Sequence, residues 1–176
     1  MIIPKIKIKK ILYATDLSEN ARFAFAYAAS LANMYNAKLV ILHTLDEIPN
    51  IDRTVIGYIS TEQWEEIKQR NIEETRESLL GKRRSNTAIR EVLDKFNENA
   101  QATNENASFE TDEVLVVYGI PVEQIIKQAD EKDCDLIVMG THGHGVLAGT
   151  MMGSTAQRVM RRSKKPVMVI RLPDNE

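Results

Sequence analysis

The segment from Asp135 to Val159, "DLIVMGTHGHGVLAGTMMGSTAQRV", joins an apolar run to a helical pattern through a glycine-rich loop. Five of the eight glycines of the chain lie in this segment. Glycine lets the N–H groups of a loop turn towards a ligand without an intervening side chain. A helix that begins near Gly153 and Ser154 adds N–H donors and a partial positive charge. The segment therefore predicts an anion-binding cradle between a strand and a helix, and phosphate is the usual anion.

The apolar run before Gly140 is one of five similar runs. They are "KKILYAT" at 9–15, "AKLVILHT" at 37–44, "EVLVVY" at 113–118, "CDLIVM" at 134–139 and "PVMVIR" at 166–171. The runs are short, rich in Val and Ile and almost wholly apolar, which is typical of parallel strands buried on both faces. Helical patterns separate them. The simplest fold is therefore α/β, a single doubly wound open sheet of five parallel strands with helices on both faces.

The helical patterns carry recognisable start signals. Ser18 suits the N-cap of the first helix, and Pro121 suits the first turn of a later one. In the last helix the spacing predicts that Ala156, Val159 and Met160 point inwards. These signals place each helix between two predicted strands, as the α/β fold requires.

Residues 46–112 form a long, charged and helix-prone insertion between the second and third strands. Gly81 is a candidate break between two helices, and "NAQATNENAS" (99–108) resembles a polar surface loop. The candidate inner residues are Trp64, Ile67, Ile72, Leu79, Leu80, Ile89, Val92, Leu93 and Phe96. No repeat or long linker divides the chain, so residues 1–176 are predicted to form one domain.

Composition excludes several classes of function. The chain has 176 residues, 43% of them hydrophobic and 27% charged, which is typical of a soluble globular protein. A net charge of −2 gives no electrostatic footprint for nucleic acid. The single cysteine excludes an internal disulfide and fits a reducing compartment. No apolar run is long enough for a signal peptide core or a membrane span, so a cytoplasmic location is expected.

Asp16 follows the first predicted strand, and Gly140 follows the fourth. Ligands of open parallel sheets bind beyond the carboxyl ends of the strands, where the strand order reverses. If the order is 3-2-1-4-5, both residues face one crevice, although periodicity alone leaves the order open. A carboxylate in such a crevice suits ribose hydroxyls or a bound Mg²⁺. The P-loop motif is absent, and no G-x-G-x-x-G follows the first strand.

The spacing Gly140-x₂-Gly143-x₉-Gly153-Ser154, with "ILYATDLS" near the start and "KKPVMVIR" near the end, resembles the universal stress protein family. More narrowly, it resembles the branch that binds ATP. The likeness covers the first two strands and residues 113–171. It implies the strand order 3-2-1-4-5, a bound adenine nucleotide (ATP, ADP or AMP) and a regulatory role in the stress response. It also implies an unidentified protein partner and a homodimer formed through the last strand, 166–171.

The same resemblance implies the residues of the nucleotide site. Ala14 and Asp16 would border the adenosine, Leu39 would contact the adenine, and Asp16 could hold Mg²⁺. The remaining expected contacts to ribose and phosphate are Gly140, Thr141, His142, Gly143, His144, Gly145, Gly153, Ser154, Thr155 and Ala156. His144 stands where relatives often carry a basic side chain. Affinity for a triphosphate is therefore expected to be lower than for AMP, and to rise at low pH if His144 reaches the phosphates.

Other chemistry-bearing residues have simpler interpretations. His142 and His144 are too few for a dedicated zinc site. His43 lies in an apolar run, which favours a hydrogen-bonded structural histidine. Cys134 is expected to be a small buried side chain.

Two alternative functions stay open. A slow or partner-dependent ATP hydrolase would need a base or water-positioning group, for which Asp16 and His142 are the candidates. No paired carboxylates and no lysine in the phosphate loop support this activity. A dimeric interaction scaffold without nucleotide is the second alternative, and the complete glycine pattern argues against it. The stress signal, the preferred nucleotide and the role of the insertion are not determined by the sequence.

Overall fold

The computed structural model describes residues 5–45, 58–74, 81–103, 109–143 and 152–171. Its strands are β1 (Lys10–Thr15), β2 (Lys38–Leu45), β3 (Glu110–Tyr118), β4 (Leu136–Gly140) and β5 (Val167–Ile170). Its helices are α1 (Glu19–Tyr35), α2 (Thr61–Glu74), α3 (Gly81–Thr103), α4 (Pro121–Glu131) and α5 (Ser154–Arg162). The strands form one parallel sheet in the order β3-β2-β1-β4-β5. The predicted α/β fold and its strand order are confirmed.

The central strands are buried because helices cover both faces of the sheet. Successive residues of β1 alternate between two apolar clusters: Ile11 and Tyr13 pack on the α1 and α3 side, whereas Leu12 and Ala14 pack with α4 and α5. This alternation explains why β1 is apolar at nearly every position. The strand order places the carboxyl end of β1 beside that of β4, at the point where the order reverses.

Two helices begin at their predicted signals, Ser18 and Pro121, and a third has a capping box that was not predicted. Ser18 caps α1, because its hydroxyl accepts the N–H of Ala21 at 3.1 Å. Pro121 begins α4. In α2 a reciprocal capping box forms, in which the Ser60 hydroxyl accepts from Gln63 N–H and the Gln63 side chain accepts from Ser60 N–H. These caps satisfy N–H groups that the first turn of a helix otherwise leaves without partners.

Three local predictions are corrected. The insertion ends before Glu110, because β3 begins there. The first residues of β3 are charged, and they form ion pairs with lysines of the neighbouring strands. Lys38 Nζ lies 2.9 Å from Glu110 Oε1, and Lys10 Nζ lies 2.7 Å from Asp112 Oδ2. Residues 99–103, predicted as loop, continue α3. Met160 is 42% exposed, because α5 lies beside the edge strand and buries only a narrow stripe of its surface.

The insertion contributes to the same core as the sheet. Trp64 and Ile67 of α2 are buried in the cluster that contains β1 and β2. The buried residues of α3 in this cluster are Ala88, Ile89, Val92 and Leu93, and Phe96 packs against them. The predicted inner residues Leu79 and Leu80 lie outside the described part of the chain, as does the side chain of Ile72.

No described helix combines the length and the apolar character that a membrane crossing requires. Cys134 is a free, buried thiol between α4 and β4, as expected for a small packed side chain.

Candidate functional site

A cavity of about 360 Å³ opens at the carboxyl ends of β1 and β4. Its volume is within the range of small-molecule sites. The lining residues are Ala14, Thr15, Asp16, Ala21, Leu42, Thr44, Pro121, Ile125, Met139, Gly140, Thr141, His142, Gly143, Gly153, Ser154, Thr155 and Ala156. The cavity therefore lies at the position where an open parallel sheet binds its ligands.

The loop after β1 carries the carboxylate of the site. Asp16 Oδ1 accepts the N–H of Ser18 at 3.0 Å, which makes a tight turn before α1. Leu17, between them, has a φ of 64° and is buried. Branched side chains rarely adopt this left-handed conformation, since it costs about 1–2 kcal/mol. Other contacts must therefore hold the loop.

A set of buried hydrogen bonds supplies those contacts. The Thr15 hydroxyl accepts the N–H of Leu17 at 3.0 Å. Tyr58 lies with its hydroxyl 3.1 Å from Thr15 Oγ1 and donates to the carbonyl of Ser18 at 3.1 Å. His43 Nδ1 lies 2.8 Å from the carbonyl of Thr15, as a structural histidine should. The backbone that presents Asp16 is thus fixed from two sides.

Gly143 packs directly against the carboxylate of Asp16. A Cβ atom added at Gly143 would overlap Oδ2 of Asp16 and lie 3.2 Å from its Cγ. Any side chain at Gly143 would displace the carboxylate or the loop. The glycine is therefore needed for the close approach of the two loops that border the cavity.

The second glycine contact joins the loop to α5. Gly153 N–H donates to the Thr141 carbonyl at 2.9 Å, and Thr141 N–H donates to the Ile170 carbonyl at 2.8 Å. A Cβ atom at Gly153 would lie only 3.0 Å from that Thr141 oxygen. Gly153 is also the N-cap of α5, and no side chain caps this helix. The first turn of α5 can therefore direct N–H groups and a partial positive charge towards a ligand in the cavity.

The charge of the described lining is small. Asp16 is its only carboxylate, and none of the lining residues is Lys or Arg. His142, which is partly buried, lies with Nδ1 3.1 Å from the Thr141 hydroxyl. Within the described residues no group of three His, Cys, Asp or Glu side chains could hold a metal ion. A magnesium ion at Asp16 would therefore need oxygen atoms from a ligand and from water to complete its coordination.

The structure brings most of the sequence-predicted site residues together around one cavity. Those that line it are Ala14, Asp16, Gly140, Thr141, His142, Gly143, Gly153, Ser154, Thr155 and Ala156. His144 and Gly145 lie outside the described residues. The expected ion, ribose and phosphate contacts of the lining residues are not tested by this placement.

Leu39, expected to contact the adenine, is the exception, because it does not line this cavity. Its side chain is fully buried in the cluster on the α1 side of the sheet, near the amino end of β2. The cavity lies at the opposite end of the strands, where Leu42 and Thr44 of β2 line it. Leu39 differs from Leu42 by an odd number of residues, so the two side chains point to opposite faces.

Sequence reasoning missed seven lining residues, namely Thr15, Ala21, Leu42, Thr44, Pro121, Ile125 and Met139. Most are apolar residues that a sequence pattern assigns to the core. Thr44 could have been found, since it is a polar residue at the carboxyl end of an otherwise apolar strand next to β1. Pro121 and Ile125 belong to the site only because α4 packs beside α5.

Comparisons with known proteins agree over most of the chain. Residues 7–171 match the family model described as "Universal stress protein family". Universal stress protein MJ0577 of Methanocaldococcus jannaschii is 31% identical, and the alignment covers 94% of this chain and 96% of the relative. A universal stress protein of Thermus aquaticus is 28% identical over 93% of this chain and 98% of the relative.

Solved structures share the fold. A structure of MJ0577 has a TM-score of 0.64 at 30% identity and covers 97% of this chain and 100% of its own. A universal stress protein solved in complex with cAMP has a TM-score of 0.61 at 24% identity, with coverages of 94% and 98%.

Proposed function

This chain belongs to the universal stress protein family, and from that premise we propose that it is a regulatory protein that binds an adenine nucleotide in the cavity between β1 and β4. The observation that carries the proposal is that a carboxylate and an uncapped helix N-terminus border the same cavity. Asp16 meets the Gly140–Gly143 loop there, and the start of α5 lines the cavity as well. A carboxylate suits the hydroxyls of a ribose, whereas a helix N-terminus suits phosphate.

The glycines support this assignment. A Cβ atom would overlap the Asp16 carboxylate at Gly143 and would crowd the Thr141 carbonyl at Gly153. Glycine at these positions therefore lets the loop lie close to Asp16 and to the start of α5. Asp16 would accept from the ribose, and the first turn of α5, Ser154 to Ala156, would donate to the phosphates.

The low positive charge of the lining suggests which phosphate state is favoured. No Lys or Arg occurs between residues 140 and 157, so the described loop and helix start offer dipoles but no side-chain cation. AMP carries fewer negative charges than ATP and lies more easily beside Asp16. We therefore expect Mg²⁺ to strengthen ATP binding more than AMP binding, because the ion offsets the charge of the triphosphate.

The regulatory part of the proposal includes an assembly. β5 is an edge strand with Met168 37% exposed, and no described strand pairs with its free side. We propose that residues 166–171 form a homodimer contact and that the dimer presents the nucleotide state to a protein partner. A buried reduced thiol at Cys134 fits a cytoplasmic setting.

Isothermal titration calorimetry tests the proposal. Protein freed of co-purified nucleotide is titrated with ATP, ADP, AMP, cAMP and GTP, each with and without Mg²⁺. The expected result is binding of adenine nucleotides with stronger binding of AMP than of metal-free ATP. GTP should bind at least tenfold more weakly. Absence of heat and of competition with every nucleotide would leave the interaction scaffold as the function of this fold.

A phosphate-release assay distinguishes the proposed binding protein from an ATP hydrolase. The proposal predicts nucleotide binding without steady ATP turnover by the isolated protein. Sustained phosphate release that is lost in Asp16→Ala while AMP binding persists would instead establish a hydrolase with Asp16 as its catalytic group.

A further inference from the structure

Tyr58 belongs to the insertion, yet its side chain reaches the loop that carries Asp16. We propose that Tyr58 is a positioning residue of the nucleotide site: its hydroxyl holds the Thr15–Ser18 backbone in the conformation that presents Asp16 to the cavity. The inference rests on the proposed function and deepens it. It gives part of the insertion a role in the site, whereas the sequence alone indicates no role for the insertion.

The hydrogen bonds of Tyr58 have a defined direction. Burial raises the pKa of Tyr58 to about 12, so the phenol is neutral and has one proton to donate. The Ser18 carbonyl, 3.1 Å away, can only accept, and therefore takes that proton. The Thr15 hydroxyl, also 3.1 Å away, must then donate to Tyr58 while it accepts the N–H of Leu17. One chain of hydrogen bonds thus runs from Leu17 to Ser18 through Tyr58.

This chain spans the strained part of the loop. Leu17 follows Asp16 directly and has the left-handed φ of 64°. Since leucine avoids this conformation, the backbone would relax if its restraints were removed. A change of φ at Leu17 moves Asp16 relative to Ser18, whose N–H binds Asp16 Oδ1 at 3.0 Å. The position of the carboxylate against Gly143 therefore depends on the bonds around Leu17.

The phenol is itself held by the core. Tyr58 is only 4% exposed, and its ring lies with its centroid 4.7 Å from that of Phe96 in α3. Phe96 in turn lies 4.8 Å from Phe25 in α1. The hydroxyl is thus presented from a packed position between the insertion and the first helix, and it can act as a fixed support.

The first test uses protein without nucleotide. Tyr58→Phe keeps the ring and removes the hydroxyl, and amide hydrogen exchange at Leu17 and Ser18 is followed by NMR. We expect exchange at both amides to become at least tenfold faster. Tyr27→Phe is the control, since it removes the hydroxyl of a half-exposed tyrosine of α1. It should leave these two amides unchanged. Unchanged exchange in Tyr58→Phe would overturn the proposal.

The second test asks whether Tyr58 acts through Asp16. The Kd for AMP is measured for the natural protein, Tyr58→Phe, Asp16→Ala and the double variant. We expect Tyr58→Phe to raise the Kd about tenfold alone and less than twofold in the Asp16→Ala background. A merely structural role would give the same factor in both backgrounds, and that result would overturn the proposal.

The two tests separate the inference from the function on which it rests. If Tyr58→Phe does not fold, Thr15→Val breaks the same hydrogen-bond chain at its other end. Because Thr15 itself binds the Leu17 N–H and lines the cavity, the exchange at the Ser18 amide is then the decisive readout, and it should again become at least tenfold faster. If the natural protein binds no adenine nucleotide, the proposed function fails and the binding role of Tyr58 fails with it. The exchange measurement then still decides whether Tyr58 holds the loop.

Discussion

Individual residues of the site are constrained by contacts as well as by any ligand. Gly143 has no room for a Cβ atom because the Asp16 carboxylate occupies that space. Leu17 has a left-handed backbone conformation that leucine normally avoids. It is held there because its N–H donates to the Thr15 hydroxyl. Both features lie on loops that border the cavity, where backbone strain is often retained for function.

Gly143→Ala should therefore weaken AMP binding by at least tenfold. The added methyl group displaces Asp16 or the glycine loop, and AMP binding depends on the relative position of these two groups. Calorimetric titration measures the effect. In an Asp16→Ala background the overlap is absent, so Gly143→Ala should there raise the Kd for AMP by less than threefold. An affinity for AMP equal to that of the natural protein in Gly143→Ala alone would contradict this geometry.

Cys134 makes a prediction about pH. Burial raises the pKa of its thiol from 9.0 to about 11 in the folded chain. The unfolded chain therefore loses its thiol proton first, and stability falls as pH rises above 9 towards 11. At pH 10 this contribution amounts to about 1 kcal/mol. Urea unfolding under reducing conditions at pH 7.5 and pH 10 should show a smaller loss for Cys134→Ala than for the natural protein. Equal losses would mean that the folded thiol titrates normally.

At the scale of elements, capping and packing decide where helices begin. The Ser18 signal was visible in the sequence because an N-cap is a local interaction. The sequence did not show that Met160 is exposed or that β3 begins with charged residues, since both features depend on neighbours that are distant in the chain. Leu39 was assigned to the site by the family resemblance alone, although it lies near the amino end of β2, away from the carboxyl ends that border the cavity.

Ser18→Ala should lower the free energy of unfolding by about 1 kcal/mol, because it removes the acceptor for the Ala21 N–H in a buried cap. Urea denaturation followed by circular dichroism measures the change. Ser30→Ala is the matched control, since Ser30 is an exposed residue within α1. It should change stability by less than about 0.5 kcal/mol. A Ser18→Ala protein as stable as the control would show that the cap contributes nothing.

At the scale of the whole molecule, the sequence predicted the fold because five apolar runs alternate with helices. Strand order came from the family resemblance, and the sheet confirms it. The cavity followed from that order, as ten of the predicted site residues surround it. The contribution of Tyr58 could not be predicted, because nothing in a charged insertion indicates that one of its side chains reaches β1.

The proposed dimer has a measurable consequence. Sedimentation equilibrium should give twice the chain mass of 19.9 kDa. Met168→Lys, on the edge strand, should shift the protein towards the monomer, because it places a charged side chain in the proposed contact. Met34→Lys, on an exposed part of α1, should not. A natural protein that sediments as a monomer at 100 μM would contradict the dimer.

The central claim is that an adenine nucleotide occupies the cavity between β1 and β4. Titration of ¹⁵N-labelled protein with AMP, followed by amide chemical shifts, tests it most directly. The account predicts the largest changes at Asp16–Ser18, Thr141–Gly143 and Ser154–Ala156, with small changes in α2 and at the amino ends of the strands. Shifts confined to other surfaces, or none at saturating AMP, would contradict it.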